Sequence, residues 1–202
     1  MKIIISIFII IWCQNFYSQN SIGVELSRTN YQFDTGNPSD VSTGSSSIRS
    51  LFILRKDSVF SNSMFFGEFI TGPDFRSNRY GKTVSWDHFL SFGIQSNNKL
   101  YFNLSLRLGI SHPITKGDYY YWPFREENTD PQVKNLVFTG QTLLSVGYKF
   151  CERASLETGI NVIKDLSSRY NISVLYRFPS FHWNYKVFQS GAYIPIRLVY
   201  KL

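Results

Sequence analysis

The amino-acid sequence predicts an all-β fold: a closed antiparallel up-and-down transmembrane β-barrel of about ten strands, with eight as the alternative count. Three observations carry this. Apolar and polar residues alternate with a period of two along most of the chain. The composition holds 18 Phe, 13 Tyr and 4 Trp, while alanine occurs only at Ala154 and Ala192, a mixture that suits strands and not helices. Tight connections alternate with long ones rich in Gly, Pro, Ser and Asp, the rhythm of hairpins with short turns at one rim and long loops at the other.

The elements follow in order. Residues 1–19 read as a cleaved signal peptide: Lys2, then an apolar run from Ile3 to Trp12 broken only by Ser6, then polar residues from Gln14. That run is short for a membrane-spanning helix. Residues 20–202 form a single barrel domain. A first strand covers about 22–33, with Ile22, Val24 and Leu26 opposite Gly23, Glu25 and Ser27; its phase slips near Asn30, which predicts a bulge. A second covers about 48–56 and a third, more weakly alternating, about 60–71. The fourth, 84–95, sets Val84, Trp86, His88, Leu90, Phe92 and Ile94 against Ser85, Asp87, Phe89, Ser91, Gly93 and Gln95. The fifth, "KLYFNLSLRLGISH" from Lys99, sets six large apolar residues against Tyr101, Asn103, Ser105, Arg107, Gly109 and Ser111. A sixth spans about 134–150 and a seventh 153–163. Three more are expected at 170–178, 181–188 and 193–202, joined by a tight turn at Pro179–Ser180 and a short connection at 189–192. Long loops are expected at 34–47, 72–83 and 113–132.

Alternation suits a soluble barrel as well as a membrane barrel, so other features decide. The minor face is mostly Gly, Ser, Asn, Gln and Thr, which suits a confined polar lumen. Most strands reach the roughly 9 residues or more that a tilted strand needs to cross a bilayer. Trp86, Tyr148, Phe150, Tyr170, Phe178, Phe181, Trp183 and Tyr200 fall near strand ends, where interfacial aromatic girdles sit. Lipid offers the backbone no hydrogen bonds, so strands cross it only as a closed sheet. The formal net charge is +7. In an exported protein this points to anionic head groups or anionic solutes as partners, and not to nucleic acid. With the signal removed Cys151 is the one cysteine left, so neither a disulfide nor a cysteine metal cluster is expected.

The leader, the hairpin rhythm and the terminal "YIPIRLVYKL" together resemble the small Gram-negative outer-membrane β-barrel (porin-like) proteins. The resemblance covers the mature chain. It implies an outer-membrane location with both termini periplasmic, among outer-membrane lipids and lipopolysaccharide. Such proteins typically end on an aromatic residue; this chain ends in Leu202, with Tyr200 two places earlier.

Candidate site residues follow from the face assignments. Arg107, Arg177, Arg197, Lys149, Glu25, Asp87 and Glu157 are expected inside the barrel, with Arg153, Lys186 and Lys201, where buried charges must pair or stay hydrated. Such a network either fills the lumen or lines a narrow pore for small anions. Tyr119, Tyr120, Tyr121, Trp122 and Phe124, in "DYYYWPF", are expected to form an aromatic surface on a long outer loop that recognises a partner, or to fold over the mouth. Ser111 and His112 are adjacent on a strand and so point to opposite faces, which argues against a hydrolytic pair. His88 and Trp86 share an apolar face at head-group level, and His182 is expected to be solvated. No metal-ligand spacing occurs among the His, Asp and Glu residues, and no cofactor or enzyme activity is expected. The expected function is a structural, binding or scaffold role through the outer loops, with a surface or periplasmic protein as partner. The alternative is a narrow anion channel; a barrel hydrolase and a soluble exported β-protein rank below both.

Overall fold

The computed structural model describes residues 18–34, 45–60, 63–78, 81–114, 129–177 and 180–202. The expected signal peptide, up to residue 17, lies outside them. The described residues form ten strands: β1 Ser18–Asp34, β2 Ser45–Phe60, β3 Ser63–Asn78, β4 Gly81–Ser96, β5 Leu100–Pro113, β6 Thr129–Val133, β7 Val137–Lys149, β8 Ala154–Asp165, β9 Tyr170–Arg177 and β10 Ser180–Lys201. Eight of them close an antiparallel barrel in the order β1-β2-β3-β4-β5-β7-β8-β10, with β10 returning to β1. The closing seam runs from Ser21↔Lys201 to Asp34↔Phe188. Closure leaves the wall without an edge, which is what a sheet in lipid requires.

The strand count is therefore eight, the alternative expected from the sequence, and not ten. Residues 170–177 and 180–187 alternate well, but alternation reports faces and not the sheet to which a strand belongs. They pair as a β9–β10 hairpin, Ser180↔Arg177 to Val187↔Tyr170, which continues β10 above the barrel. β6 pairs with the other side of β9, so a three-stranded outer sheet stands on one rim. Arg177 and Ser180, which close this hairpin, are thus at the outer tip and not at the opposite rim; Pro179, of the expected turn, lies outside the described residues. Residues 189–192 are a continuous part of β10 and not a connection. At eight residues, β9 is also shorter than the roughly 9 to 11 needed for a tilted crossing.

Two further expectations change. Residues 72–83 are not a long loop: β3 runs to Asn78 and β4 starts at Gly81, so the connection is residues 79–80 alone. The Gly and Pro that suggested a loop serve the wall instead. At Gly72 a Cβ would lie 2.2 Å from the Ser50 carbonyl oxygen, so only glycine lets β2 approach. The bulge near Asn30 is also absent, since β1 pairs in unbroken register with both neighbours. Arg28, Asn30 and Gln32 stay on the same outward face as Ile22, Val24 and Leu26. What read as a phase slip is a change of chemistry up one face, from apolar to polar.

We call the rim carrying the connections 61–62, 97–99 and 150–153 the lower rim, and the rim carrying the outer sheet the upper. The two faces are distinguished sharply. On β5, Leu106 and Leu108 are 62% and 65% exposed while Arg107 between them is 0%. The same parity sets Phe52, Phe65, Phe92, Leu144, Ile160 and Ile196 outward. A continuous apolar exterior around a polar interior is the inverse of a soluble barrel and matches a wall surrounded by hydrocarbon.

The narrow interior is filled by a recurring device. Phe66 lies directly across from Gly93, Phe89 from Gly109 and Tyr101 from Gly147. A Cβ on any of these glycines would come within 2.1–2.2 Å of the facing ring. Each ring therefore lies flat over a neighbouring strand that carries no side chain, and packing is achieved where eight strands leave little room. Leu51, Ile53, Ile70 and Phe89 form an apolar patch on the β2–β4 wall.

Candidate functional site

The interior is the most distinctive chemistry in the molecule. At mid-height, register places Arg197 between two carboxylates: Glu25 on β1 is its partner on one side and Glu157 on β8 on the other. Its guanidinium reaches Glu25 at 3.3 Å, Glu157 at 2.6 Å and, across the lumen, Glu68 of β3 at 2.5 Å. Arg107 of β5 binds Glu25 with both terminal nitrogens, at 3.2 and 2.8 Å. Arg55 of β2 donates to Asp57 at 2.6 Å, Glu157 at 3.2 Å and Gln95 at 2.5 Å, and lies 4.0 Å above the Phe66 ring. Tyr101 donates its hydroxyl to Glu157 at 2.9 Å. Tyr193 and Asn161 extend the network to Gln141 on β7. Seven of the eight wall strands are thereby tied together by ion pairs or charged hydrogen bonds across the interior.

Two smaller clusters sit above. Arg49 of β2 reaches Asp74 of β3 at 3.1 Å and Asp87 of β4 at 2.8 Å, and Arg76 reaches the same Asp74 at 2.7 Å. Arg169 binds Asp165 with two nitrogens at 2.9 Å each, and the Asp165 carboxylate also accepts the Gln189 backbone N–H at 3.0 Å. At mid-height the side chains of Glu25, Glu68, Arg107, Glu157 and Arg197 are fully buried. A cavity near the lower rim, beside Ser21, Arg55, Asp57, Tyr101, Lys149 and Lys201, has a volume of about 20 Å³, room for a single water.

The structure brings together Glu25, Arg107, Glu157 and Arg197 of the residues expected inside, and Asp87 stands in the cluster above them. It does not bring Lys149 into the ion-paired network: its Nζ donates to Asn97 at 3.2 Å near the lower rim and sits 5.7 Å from the Tyr101 ring. Arg177 is on β9, in the outer sheet, so it is not on the barrel wall. Arg153 is exposed in a lower turn, Lys186 is exposed on the outer part of β10, and Lys201 is half-buried at the lower end. All three were expected inside; Arg153 is not, because it lies in a turn, and Lys186 is not, because the even-numbered positions of β10, such as Ala192, Ile194 and Ile196, face outward.

Sequence reasoning missed Arg49, Arg55, Asp57, Glu68, Asp74, Arg76, Asp165 and Arg169. On β2 and β3 the inner face also carries Leu51, Ile53, Met64, Phe66 and Ile70, so both faces are apolar and alternation vanishes. Asp74 and Arg76 fell in the supposed loop. The usable signal was parity itself: Phe65 and Phe75 face outward, and every even position between them follows inward.

Ser111 is buried and accepts from Arg169 at 3.4 Å, while His112 faces out with Nδ1 2.7 Å from the Asn135 carbonyl oxygen. They form no dyad. Trp86 donates to Thr71 at 2.8 Å, and Thr71 lies 3.0 Å from His88 Nδ1, on the outer surface. Tyr119, Tyr120, Tyr121, Trp122 and Phe124 lie outside the described residues, as does the His182 side chain. Among the described residues no group of three or more His, Cys, Asp or Glu could hold a metal ion.

No family model matches the chain, and no curated protein matches it either. Solved structures do. Outer membrane protein AlkL, determined by solid-state NMR in DMPC bilayers, is similar at a TM-score of 0.51 and 12% identity over 94% of this chain and 92% of that one. The translocator domain of the autotransporter NalP from Neisseria meningitidis gives 0.35 and 11%, over 91% and 88%. The toluene transporter TodX of P. putida gives 0.30 and 8%, over 94% and 90%. At such identities the likeness is one of fold, and the fold of this chain is that of the outer-membrane β-barrels.

Proposed function

We propose that this chain is an integral outer-membrane barrel with a structural, binding or scaffold role. Its lumen is closed by its own side chains, and its working surface is the outer sheet and the upper connections. The lower rim and the chain ends then lie on the periplasmic side, as short turns do in this fold. The observation that carries the reading is Arg197, fully buried and bound to carboxylates from three other strands at mid-lumen. Such a group, desolvated and paired on every side, is a strut and not the lining of a wet channel.

The charge balance does not favour an anion channel. Among the described residues, the buried charged side chains are seven carboxylates and six arginines, so the interior has no positive excess to draw anions. The test is planar-bilayer recording of the purified full chain. The expected result is no unitary conductance over a wide voltage range; stable single-channel openings in the same preparation overturn the closed lumen. A structural or binding role without catalysis is supported by the separation of Ser111 from His112, the pair that could have suggested hydrolysis.

A further inference from the structure

Charge is segregated between the inside and outside of this barrel. The interior is nearly balanced, as above. Among the described side chains that are not buried, nine are cationic and one, Glu152, is acidic. Five of these cations belong to the lower rim. The other four, Arg28, Lys134, Lys164 and Lys186, belong to the upper part of the molecule, and three of them fall on one sector of the wall.

That sector is β8–β10–β1. Register aligns Arg28 with Ile194, Asn30 with Ala192 and Val162, and Gln32 with Ser190 and Lys164. Arg28, Asn30, Gln32 and Lys164 are all exposed on the outer face. Lys186 lies four residues above Ser190 on the same strand and, by parity, on the same face. Directly below are Leu26, Ile196 and Leu198, all exposed. Around the rest of the circumference the same height is occupied differently, by the exposed rings of Phe75, Trp86 and Phe138. The upper edge of the apolar belt is thus aromatic on one side of the barrel and cationic on the other.

A surface with an apolar stripe capped by guanidinium and ammonium groups has the shape of a lipid: hydrocarbon below and an anionic head above. On β10, the strand between Arg28 and Lys164, the residues at 190 and 192 are the small Ser and Ala. We infer that the β8–β10–β1 sector binds a membrane lipid with a phosphate-bearing anionic head group, its chains against Leu26, Ile196 and Leu198 and its phosphate between Arg28 and Lys164. Charge complementarity carries the assignment, because no exposed carboxylate with a described side chain lies on this sector. It deepens the membrane reading and rests on it.

The experiment uses the folded full chain in a neutral maltoside detergent. Dioleoyl phosphatidate and dioleoyl phosphatidylcholine are added in equal amounts, and bound lipid is counted by native mass spectrometry. The wild type is expected to retain phosphatidate over phosphatidylcholine by about tenfold, as two near-surface cations acting on one anion allow. Arg28→Gln with Lys164→Gln abolishes that preference, while Arg28→Lys with Lys164→Arg keeps it. Lys99→Gln with Arg153→Gln, on the lower rim, also keeps it. Heat-modifiable migration in SDS gels establishes that each variant is folded. Unchanged preference in the double Gln variant overturns the proposal. So does an equal loss in the lower-rim variant, which would make the attraction diffuse, or displacement of the lipid by inorganic phosphate alone, which would make the site one for a free anion. Failure of the underlying membrane reading looks different: the chain would remain soluble without detergent.

Discussion

At the scale of single residues, the interior exchanges hydrophobic burial for paired charge, and the cost of disturbing it is asymmetric. Arg197 bridges Glu25, Glu68 and Glu157, whose remaining charge is balanced by Arg107 and Arg55. Arg197→Ala leaves three buried carboxylates sharing only Arg107 and Arg55 in a desolvated space, so the folded barrel should lose about 3–5 kcal/mol. Urea unfolding in detergent, followed by loss of the fast-migrating form on SDS gels, measures it. A loss below 1 kcal/mol would show that the interior is well hydrated. The glycines opposite aromatic rings give a second test. At Gly93 a Cβ would lie 2.2 Å from Phe66, so Gly93→Ala should cost about 1–3 kcal/mol by forcing the ring from its site. Phe66→Leu in the same background should recover part of that loss; no recovery would mean that strand backbone, and not the ring, sets the cost. Much of this scale was legible in advance. Glu25, Arg107, Glu157 and Arg197 declare themselves by parity, since each alternates with large apolar residues on its own strand. Arg55 and Glu68 do not, because their neighbours Ile53 and Phe66 are as apolar as the lipid-facing residues.

At the scale of elements, strand identity and strand membership prove to be different questions. The faces of β4, β5, β7, β8 and the lower part of β10 follow directly from the period of two, which fades on β2 and β3, where the inner face is partly apolar. That period could not show that 170–187 leave the barrel, because a sheet above the membrane and a sheet within it have the same pleat. Nor could it show that 72–83 continue two strands, because Gly and Pro in a wall strand carry the same letters as Gly and Pro in a loop. The outer hairpin makes no ladder with β1 until Phe188 pairs with Asp34. Replacing residues 171–186 by a short Gly-Ser turn should therefore leave the barrel closed. The expected outcome is unaltered heat-modifiable migration and a midpoint in urea within experimental scatter of the wild type. Collapse of the folded form would show that the outer sheet is part of the fold and not an appendage to it.

At the scale of the whole molecule, the distribution of charge is the unifying feature. The interior contains paired ions that hold the wall in one shape; the exterior displays cations at both ends of an apolar belt. Association with anionic bilayers should thus be faster than with zwitterionic ones and should weaken as salt screens the rims. Folding kinetics into phosphatidylglycerol and phosphatidylcholine vesicles, each at low and high ionic strength, measure this; equal rates in the two lipids would sink it.

The continuity of β10 has a mechanical consequence. One unbroken strand belongs to the outer sheet at its start and to the seam with β1 over its later half. No loop lies between them to take up slack. A tug on the outer sheet is transmitted along a taut ribbon to the joint that keeps the cylinder shut, and it loads that joint lengthwise, where many ladder bonds resist together, and not by peeling them one at a time.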